Sequence, residues 1–195
     1  MFIQSPAESD ASRRIFEAST QSMGFVMNLT KVWAWRPDVY DGFAALRNQL
    51  TSNSALTKRD LAVIVCATAS ELRDAYCALA WGATLATEAG APVAAAVISG
   101  DPGHALTPRD RALAAWARKV VADPNGTTAA DLDDMRTCGF TEREVFEATT
   151  FAAFRLAFST VNDALGVHPD LQLALSVDPQ VRDAVTFGRE ALAQP

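Results

Sequence analysis

The sequence is poor in glycine, in cysteine and in long apolar runs. Among its 195 residues are 10 Gly and 3 Cys, and 17 Lys and Arg against 23 Asp and Glu give a formal net charge of −6. No cluster of basic residues interrupts that balance, so a nucleic-acid groove is not expected. The longest apolar stretches, 61–69 and 91–98, are far shorter than the ~20 residues that cross a bilayer. We therefore expect neither a nucleic-acid partner nor a membrane span.

Sequence signals for export are also missing. Residues 1–6 contain neither a basic region nor an apolar core of signal-peptide length. An odd number of cysteines without an export signal favours reduced thiols. The expected location is the cytoplasm.

The scarcity of glycine and the abundance of alanine favour helices, because Ala is the best helix former and Gly among the worst. Four helix starts are marked by a Thr with an acidic residue three positions later. In this pattern the hydroxyl accepts a free backbone N–H, and the acid faces the positive end of the helix. The pairs are Thr57 with Asp60, Thr107 with Asp110, Thr128 with Asp131, and Thr141 with Glu144. Without a persuasive strand pattern, the sequence predicts an all-α fold.

Two further patterns concern how the helices assemble. The segment 55–60, Ala-Leu-Thr-Lys-Arg-Asp, is nearly repeated at 105–110, Ala-Leu-Thr-Pro-Arg-Asp; this indicates either common capping chemistry or two related helical hairpins. The helix after Thr141 is apolar on nearly every face, which is typical of central burial or of packing against another subunit. A homo-oligomer is therefore expected. For Arg155, a lone charge near the middle of that helix, a structural ion pair is predicted.

The segment 70–82 holds the candidate chemistry. Its polar start interrupts two apolar helical patterns, which predicts a helix break with Asp74 as the N-cap of the next helix. Cys77 would then lie in the first helical turn, where unpaired N–H groups and the cation Arg73 favour a thiolate. The like charges of Glu71 and Asp74 act in the opposite direction.

Helical spacing also predicts a small pocket. Cys77, Trp81 and Thr84 share one helical face with Asp74. Tyr76 falls on the neighbouring stripe, which is typical of core. An alternative for Cys77 is that of a buried, unreactive small hydrophobe.

Nothing in the sequence indicates a metal or a cofactor. The two histidines, His104 and His168, are not at metal-ligand spacing from another ligand group. There is no phosphate-binding glycine loop, no serine nucleophile elbow and no dinucleotide fingerprint. We expect a small-molecule substrate without metal or cofactor.

Short motifs from Asn28 to His168 resemble, in their order and spacing, those of the carboxymuconolactone decarboxylase and alkylhydroperoxidase D superfamily, especially its peroxidase-related branch. They are Arg36-Pro37, Thr57-Lys58-Arg59-Asp60-Leu61, Tyr76-Cys77 with Trp81-Gly82, Leu106-Thr107-Pro108-Arg109-Asp110-Arg111-Ala112, and Asn162-Asp163-Ala164-Leu165-Gly166-Val167. The resemblance implies a helical bundle with a central helical hairpin, assembled as a dimer, trimer or hexamer. It divides the chain into an N-terminal helical extension (1–27), the family domain (28–168) and a C-terminal helical tail (169–195).

The family's peroxidase motif is a Glu, eleven residues, Cys, two residues, Cys, three residues, then His. Here the motif is degenerate, because only the second cysteine is present, as Cys77. Asp74 occupies the position of the first cysteine, Trp81 that of the histidine and Ala62 that of the glutamate. The resolving thiol and the proton relay of the family's disulfide chemistry are therefore absent from those positions.

Two functions of different classes follow. In the first, an antioxidant oxidoreductase, Cys77 reduces an organic hydroperoxide, becomes a sulfenic acid and is regenerated by an external thiol. Asp74 would carry the proton, and Tyr76 and Trp81, with Glu71 and Arg73, would form the substrate pocket. The second is a non-redox lyase or isomerase with Asp74 or Glu71 as acid and base, or a small-molecule-binding protein without catalysis.

Overall fold

The computed structural model describes residues 1–101 and 104–193, which form eleven α-helices and an isolated bridge between Asp170 and Leu192. The all-α fold predicted from the sequence is confirmed. The helices are α1 (Asp10–Met23), α2 (Asn28–Trp33), α3 (Pro37–Ser52), α4 (Lys58–Leu72), α5 (Ala75–Ala89), α6 (Ala91–Ser99), α7 (Pro108–Ala122), α8 (Ala129–Thr137), α9 (Glu142–Ala164), α10 (Leu171–Ser176) and α11 (Pro179–Ala184). In these two ranges, no helix combines the length and hydropathy that a membrane span requires.

The central helix of the bundle is α4. Every residue from Asp60 to Ala69 is buried, because α5, α6, α7 and α9 all pack against this helix. A helix that is apolar on all sides is suited to that position. It ends at Arg73, which adopts a left-handed conformation with φ 59°, and α5 begins directly after Asp74. The two helices form the predicted central hairpin.

All four predicted threonine caps are present. Each Thr hydroxyl accepts the backbone N–H three residues on, and the acid at that position accepts the N–H of the threonine. Each arrangement satisfies two of the backbone donors that a helix start leaves free.

The repeated starts of α4 and α7 bind each other, in what we term the Arg–Asp exchange. Arg59 donates to Asp110 through Nε at 3.0 Å and Nη2 at 2.6 Å. Arg109 donates to Asp60 through Nε at 3.1 Å and Nη2 at 3.3 Å. Such reciprocal contacts are typical of two units that are related by two-fold symmetry. They favour the interpretation of the repeat as two related helical units.

The long helix α9 is buried on one side only. Val145, Phe151 and Phe154 belong to the core, whereas Phe146 is 70% exposed. The sequence allowed two positions for α9, at the centre of the bundle or against another subunit. In the structure the central position is taken by α4 and not by α9.

Two other parts of the fold border the helical hairpin. α3 has no buried residue along its length. α11 approaches α5 so closely at Gly82 that a Cβ there would lie 2.5 Å from Val181 Cγ1. Glycine is therefore required for this contact.

We predict that Asp110→Asn destabilises the protein more than Asp131→Asn. Both carboxylates close a capping box and accept a salt bridge, but the side chain of Asp110 is 3% exposed and that of Asp131 25%. The variant removes the charge that Arg59 faces at a buried site, and we expect a loss of about 2 kcal/mol in the free energy of unfolding. Urea unfolding followed by circular dichroism measures it, and an equal loss in both variants would contradict the prediction.

The difference should depend on pH. Burial acts to raise the pKa of Asp110, but hydrogen bonds from Arg59 and Thr107 hold it below its ordinary value of 3.8. The ionised carboxylate therefore contributes stability that is present above pH 3.8 and is lost as the pH falls through the lower pKa of the folded state. Wild type and Asp110→Asn should approach each other in stability below pH 3.8.

Candidate functional site

A cavity of about 370 Å³ lies between α3, α5, α9 and α10. Its walls are mainly aromatic and aliphatic, and the polar side chains in the lining include Arg47, Tyr76, Cys77, Arg155 and Ser176. Small-molecule sites typically have this size and this mixture of apolar walls with a few polar groups. The cavity is therefore the candidate site.

Cys77 enters the cavity from the first turn of α5. Asp74 caps that helix, and its Oδ1 accepts the backbone N–H of Cys77 at 2.9 Å, as the sequence predicted. On its other side the Cys77 Sγ accepts hydrogen bonds from Arg155 Nη2 at 2.9 Å and from Ser159 Oγ at 3.7 Å. Both donors lie on α9, so the thiol is enclosed between two helices.

The cation beside the thiol is Arg155 rather than Arg73. Arg73 is exposed, at the end of α4, and does not line the cavity. Arg155 is 4% exposed, and among the described residues it has no carboxylate within salt-bridge distance. The ion pair predicted for it is therefore not formed, and its Nε has no hydrogen-bond partner in that part of the chain.

The rings around Arg155 complete its surroundings. Its guanidinium carbon lies 5.0 Å from the ring centre of Phe158 and 5.6 Å from that of Trp81. Aromatic faces stabilise a cation that is removed from water. They help to hold Arg155 against the thiol without a carboxylate.

The electrostatics of the thiol differ from the sequence prediction. Burial raises the pKa of Cys77 well above the ordinary thiol value, and the charge of Asp74 raises it further, whereas Arg155 lowers it. Of the opposing effects that the sequence indicated, those that raise the pKa of Cys77 prevail, because a thiol that is 3% exposed loses the solvation of its charged form. Asp74 acts on the thiol from the N-cap position, where its Oδ1 accepts the backbone N–H of Cys77.

A second carboxylate, which the sequence reasoning did not single out, lies near the first. Asp74 is fully buried, and its Oδ2 has no hydrogen-bond partner within residues 1–101 and 104–193. Burial and the charge of Asp74 raise the pKa of Asp163 to about 7, against the effect of Arg189. The sequence contained Asp163 only within a family motif, without a sign of this proximity.

The remaining predicted site residues divide into two groups. Tyr76 and Trp81 line the cavity, whereas Glu71 and Arg73 are exposed and do not. The Tyr76 hydroxyl donates to Asp170, which also accepts the backbone N–H of Asn28 at 3.0 Å. Burial and this contact raise the pKa of Tyr76. The phenol is thus a fixed, neutral part of the wall.

The other two cysteines lie outside the cavity lining. Cys66 is buried in α4, and burial, followed by the nearby Cys77, raises its pKa. Cys138 is half-buried at the end of α8. All three cysteines are free thiols.

The sequence matches no protein-family model and no curated protein, whereas several solved structures are similar to the chain. A peroxidase-related protein from Ralstonia eutropha JMP134, described as an alkylhydroperoxidase AhpD core, has 28% identity and a TM-score of 0.78, with 88% of this chain and 93% of that one covered. A peroxidase-related protein from Silicibacter sp. TM1040 has 21% identity and a TM-score of 0.76 over the same shares.

A further similar structure is that of a cysteine-to-alanine variant of the debrominase Bmp8 in complex with 2,3,4-tribromopyrrole. It has 16% identity and a TM-score of 0.69, with 95% of this chain and 96% of that one covered. At this identity the similarity concerns the fold alone.

We predict that charges on the two sides of the thiol shift its pKa in opposite directions. Asp74→Asn keeps a capping side chain but removes the negative charge, so the pKa of Cys77 should fall by about one pH unit. Arg155→Met should raise the pKa of Cys77 above that of the wild type, and Arg155→Lys should restore part of the difference. The rate of alkylation by iodoacetamide as a function of pH, read at Cys77 by peptide mapping, measures both.

Glu71→Gln is the matched control, since it removes an exposed acid of the same segment that does not line the cavity. Its pH profile should coincide with that of the wild type. An Asp74→Asn profile that also coincides with it would show that Asp74 does not act on the thiol.

Proposed function

Because the chain is an alkylhydroperoxidase D-like protein by its fold, as its sequence motifs implied, we propose that it reduces an organic hydroperoxide through Cys77 alone. One observation carries the proposal. A thiol opens into an apolar cavity, with a guanidinium 2.9 Å from its sulfur and a carboxylate at its other side. A nucleophile, a cation and a proton acceptor are thereby held together away from water.

The proposed reaction has two stages. The thiol proton passes to Asp74, the sulfur of Cys77 attacks the terminal peroxide oxygen, and the O–O bond breaks. The alkoxide that leaves takes the proton from Asp74 as an alcohol, and Cys77 is left as a sulfenic acid. One external thiol then forms a mixed disulfide and releases water; a second restores Cys77 and leaves as the oxidised disulfide.

The neighbouring residues have separate parts in this scheme. Arg155 stabilises the thiolate and the negative charge that develops on the leaving oxygen, an effect that is strong where water is excluded. Trp81 and Tyr76 are wall residues that favour an apolar group on the peroxide. Asp74, where the family motif has a cysteine, cannot resolve the sulfenic acid, so the reductant must come from outside.

The second candidate is a non-redox lyase or isomerase, with Asp74 as acid and base. It is supported by the unpartnered Oδ2 of Asp74 and by the nearby Asp163, whose pKa of about 7 suits proton transfer near neutral pH. Simple binding of a small molecule is the third outcome. The debrominase of similar fold binds a small halogenated ring, and the aromatic walls here suit a ligand of that kind.

We predict that hydroperoxide treatment converts Cys77 into a sulfenic acid without forming an internal disulfide. Limited treatment, followed by a sulfenic-acid-selective reagent and mass spectrometry, should place the adduct on Cys77. Cys77→Ser should abolish peroxide consumption, and the control Cys138→Ser should retain it, because Cys138 lies outside the cavity.

Two results would oppose the scheme. A loss of two hydrogens that links Cys77 to Cys66 would identify Cys66 as a resolving thiol. If Cys77 is not oxidised, and a reaction of the protein is lost only in Asp74→Asn, the non-redox candidate is favoured.

We also predict that the chain is a homo-oligomer, as the sequence led us to expect. Phe146 on α9 is 70% exposed and Leu175 on α10 65%, and large exposed apolar side chains favour association. Light scattering in dilute solution should give a mass above the 20.9 kDa of one chain, and Phe146→Glu should lower it. A single 20.9 kDa species for the wild type would contradict this expectation.

A further inference from the structure

We propose that the cavity accepts an anionic, amphipathic molecule, whose carboxylate binds Arg47 at the mouth and whose apolar part extends toward Cys77. This inference rests on the proposed function, because it names the substrate class as hydroperoxides that carry a carboxylate on an apolar chain. It is carried by the charge of the cavity, by the state of Arg47 and by the position of the aromatic rings.

The charge of the cavity is opposite to that of the chain. The protein has 23 acidic residues and a net charge of −6. The described lining nevertheless contains no Asp or Glu, and its two charged residues are Arg47 and Arg155. A carboxylate ligand would therefore meet no negative charge in the lining itself. It would meet two positive charges, those of the two arginines.

Arg47 differs from other exposed arginines of its surroundings. Arg14 pairs with Asp41, Arg36 with Asp38 and Arg143 with Glu147. In the described part of the chain, the side chain of Arg47 forms no hydrogen bond or salt bridge, and its backbone carbonyl accepts the hydroxyl of Thr51 at 3.0 Å. Its guanidinium is thus available for a ligand at the exposed side of the cavity.

Aromatic rings occupy the walls around the same space. Phe43, on α3 with Arg47, lies 5.6 Å from the ring of Phe154 and 6.0 Å from that of Phe158, both on α9. The Phe158 ring is also in contact with Arg155, which holds the sulfur of Cys77. An apolar chain anchored at Arg47 can therefore pack against these rings and present its peroxide to the thiol.

The exposure of α3 allows ligand binding to be measured in a second way, independently of a reaction. Because α3 has no buried residue and yet lines the cavity with Tyr40, Phe43 and Arg47, a ligand that fills the cavity buries its inner face. Such burial raises the free energy of local opening. Amides of α3 should therefore exchange hydrogen more slowly when an anionic amphiphile is bound, whether or not a reaction takes place.

The first test compares linoleic acid hydroperoxide with its methyl ester, and uses cumene hydroperoxide as a neutral reference. The acid should have a kcat/KM about fivefold higher than the ester, and the ratio should fall as salt is added. Arg47→Gln should bring the ratio of acid to ester to one. The control Arg136→Gln removes an exposed arginine that does not line the cavity, and it should keep the ratio.

The second test measures hydrogen exchange of α3 with decanoate and with decanol, neither of which can react. Decanoate should protect α3 in the wild type and in Arg136→Gln, but not in Arg47→Gln.

The outcomes separate the two proposals. Reduction of cumene hydroperoxide, with equal rates for acid and ester and no protection by decanoate, overturns the anionic substrate class alone. Absence of all hydroperoxide reduction, with protection that depends on Arg47, overturns the peroxidase function and leaves the anionic site. If hydroperoxide reduction and protection by decanoate are both absent, both proposals are overturned.

Discussion

The Arg–Asp exchange places the parts of the candidate site relative to one another. It fixes the start of α4 against the start of α7, and Arg109 extends it to α9 by donating to Glu144 at 2.8 Å. The hairpin that begins with α4 carries Cys77, and α9 carries Arg155. The distance between sulfur and guanidinium therefore depends on ion pairs that lie at the other end of α4. Because Asp60 and Asp110 are both 3% exposed, solvent screens these pairs less than surface pairs.

Asp74, the N-cap of α5, has two opposing effects on Cys77. As a cap, the carboxylate of Asp74 must lie close to the first-turn N–H groups, which is the arrangement that holds Cys77 in place. The same charge opposes ionisation of the thiol. Arg155 offsets it from the opposite side, so that the thiol lies between one negative and one positive group. The pKa of a thiol in this position is sensitive to the loss of either charge.

Local chemistry explains which features the sequence predicted. The helix starts, the break before α5 and the cap at Asp74 depend on residues within three positions of one another, and the structure contains all of them. The contact of Arg155 with Cys77 joins residues 78 positions apart, and no spacing rule applies at that range. The sequence therefore suggested Arg73 as the cation, because it is adjacent in the chain. The repeated start of α4 and α7 was the single long-range signal that the chain displayed, and it marked the Arg–Asp exchange.

The departures from the family's peroxidase motif are consistent with one another in this cavity. With Asp74 in place of the first cysteine, a neighbouring thiol is exchanged for a capping carboxylate. Trp81, in place of the histidine, supplies a ring 5.6 Å from the guanidinium carbon of Arg155. A polar proton relay would need solvated or hydrogen-bonded partners, which an apolar wall does not provide. In the proposed reaction, Arg155, which is held by rings, stabilises the negative charge, and the carboxylate of Asp74 takes the proton. The proposed reaction thus retains a means of activating one thiol but none of resolving it internally, and it therefore requires a reductant from outside.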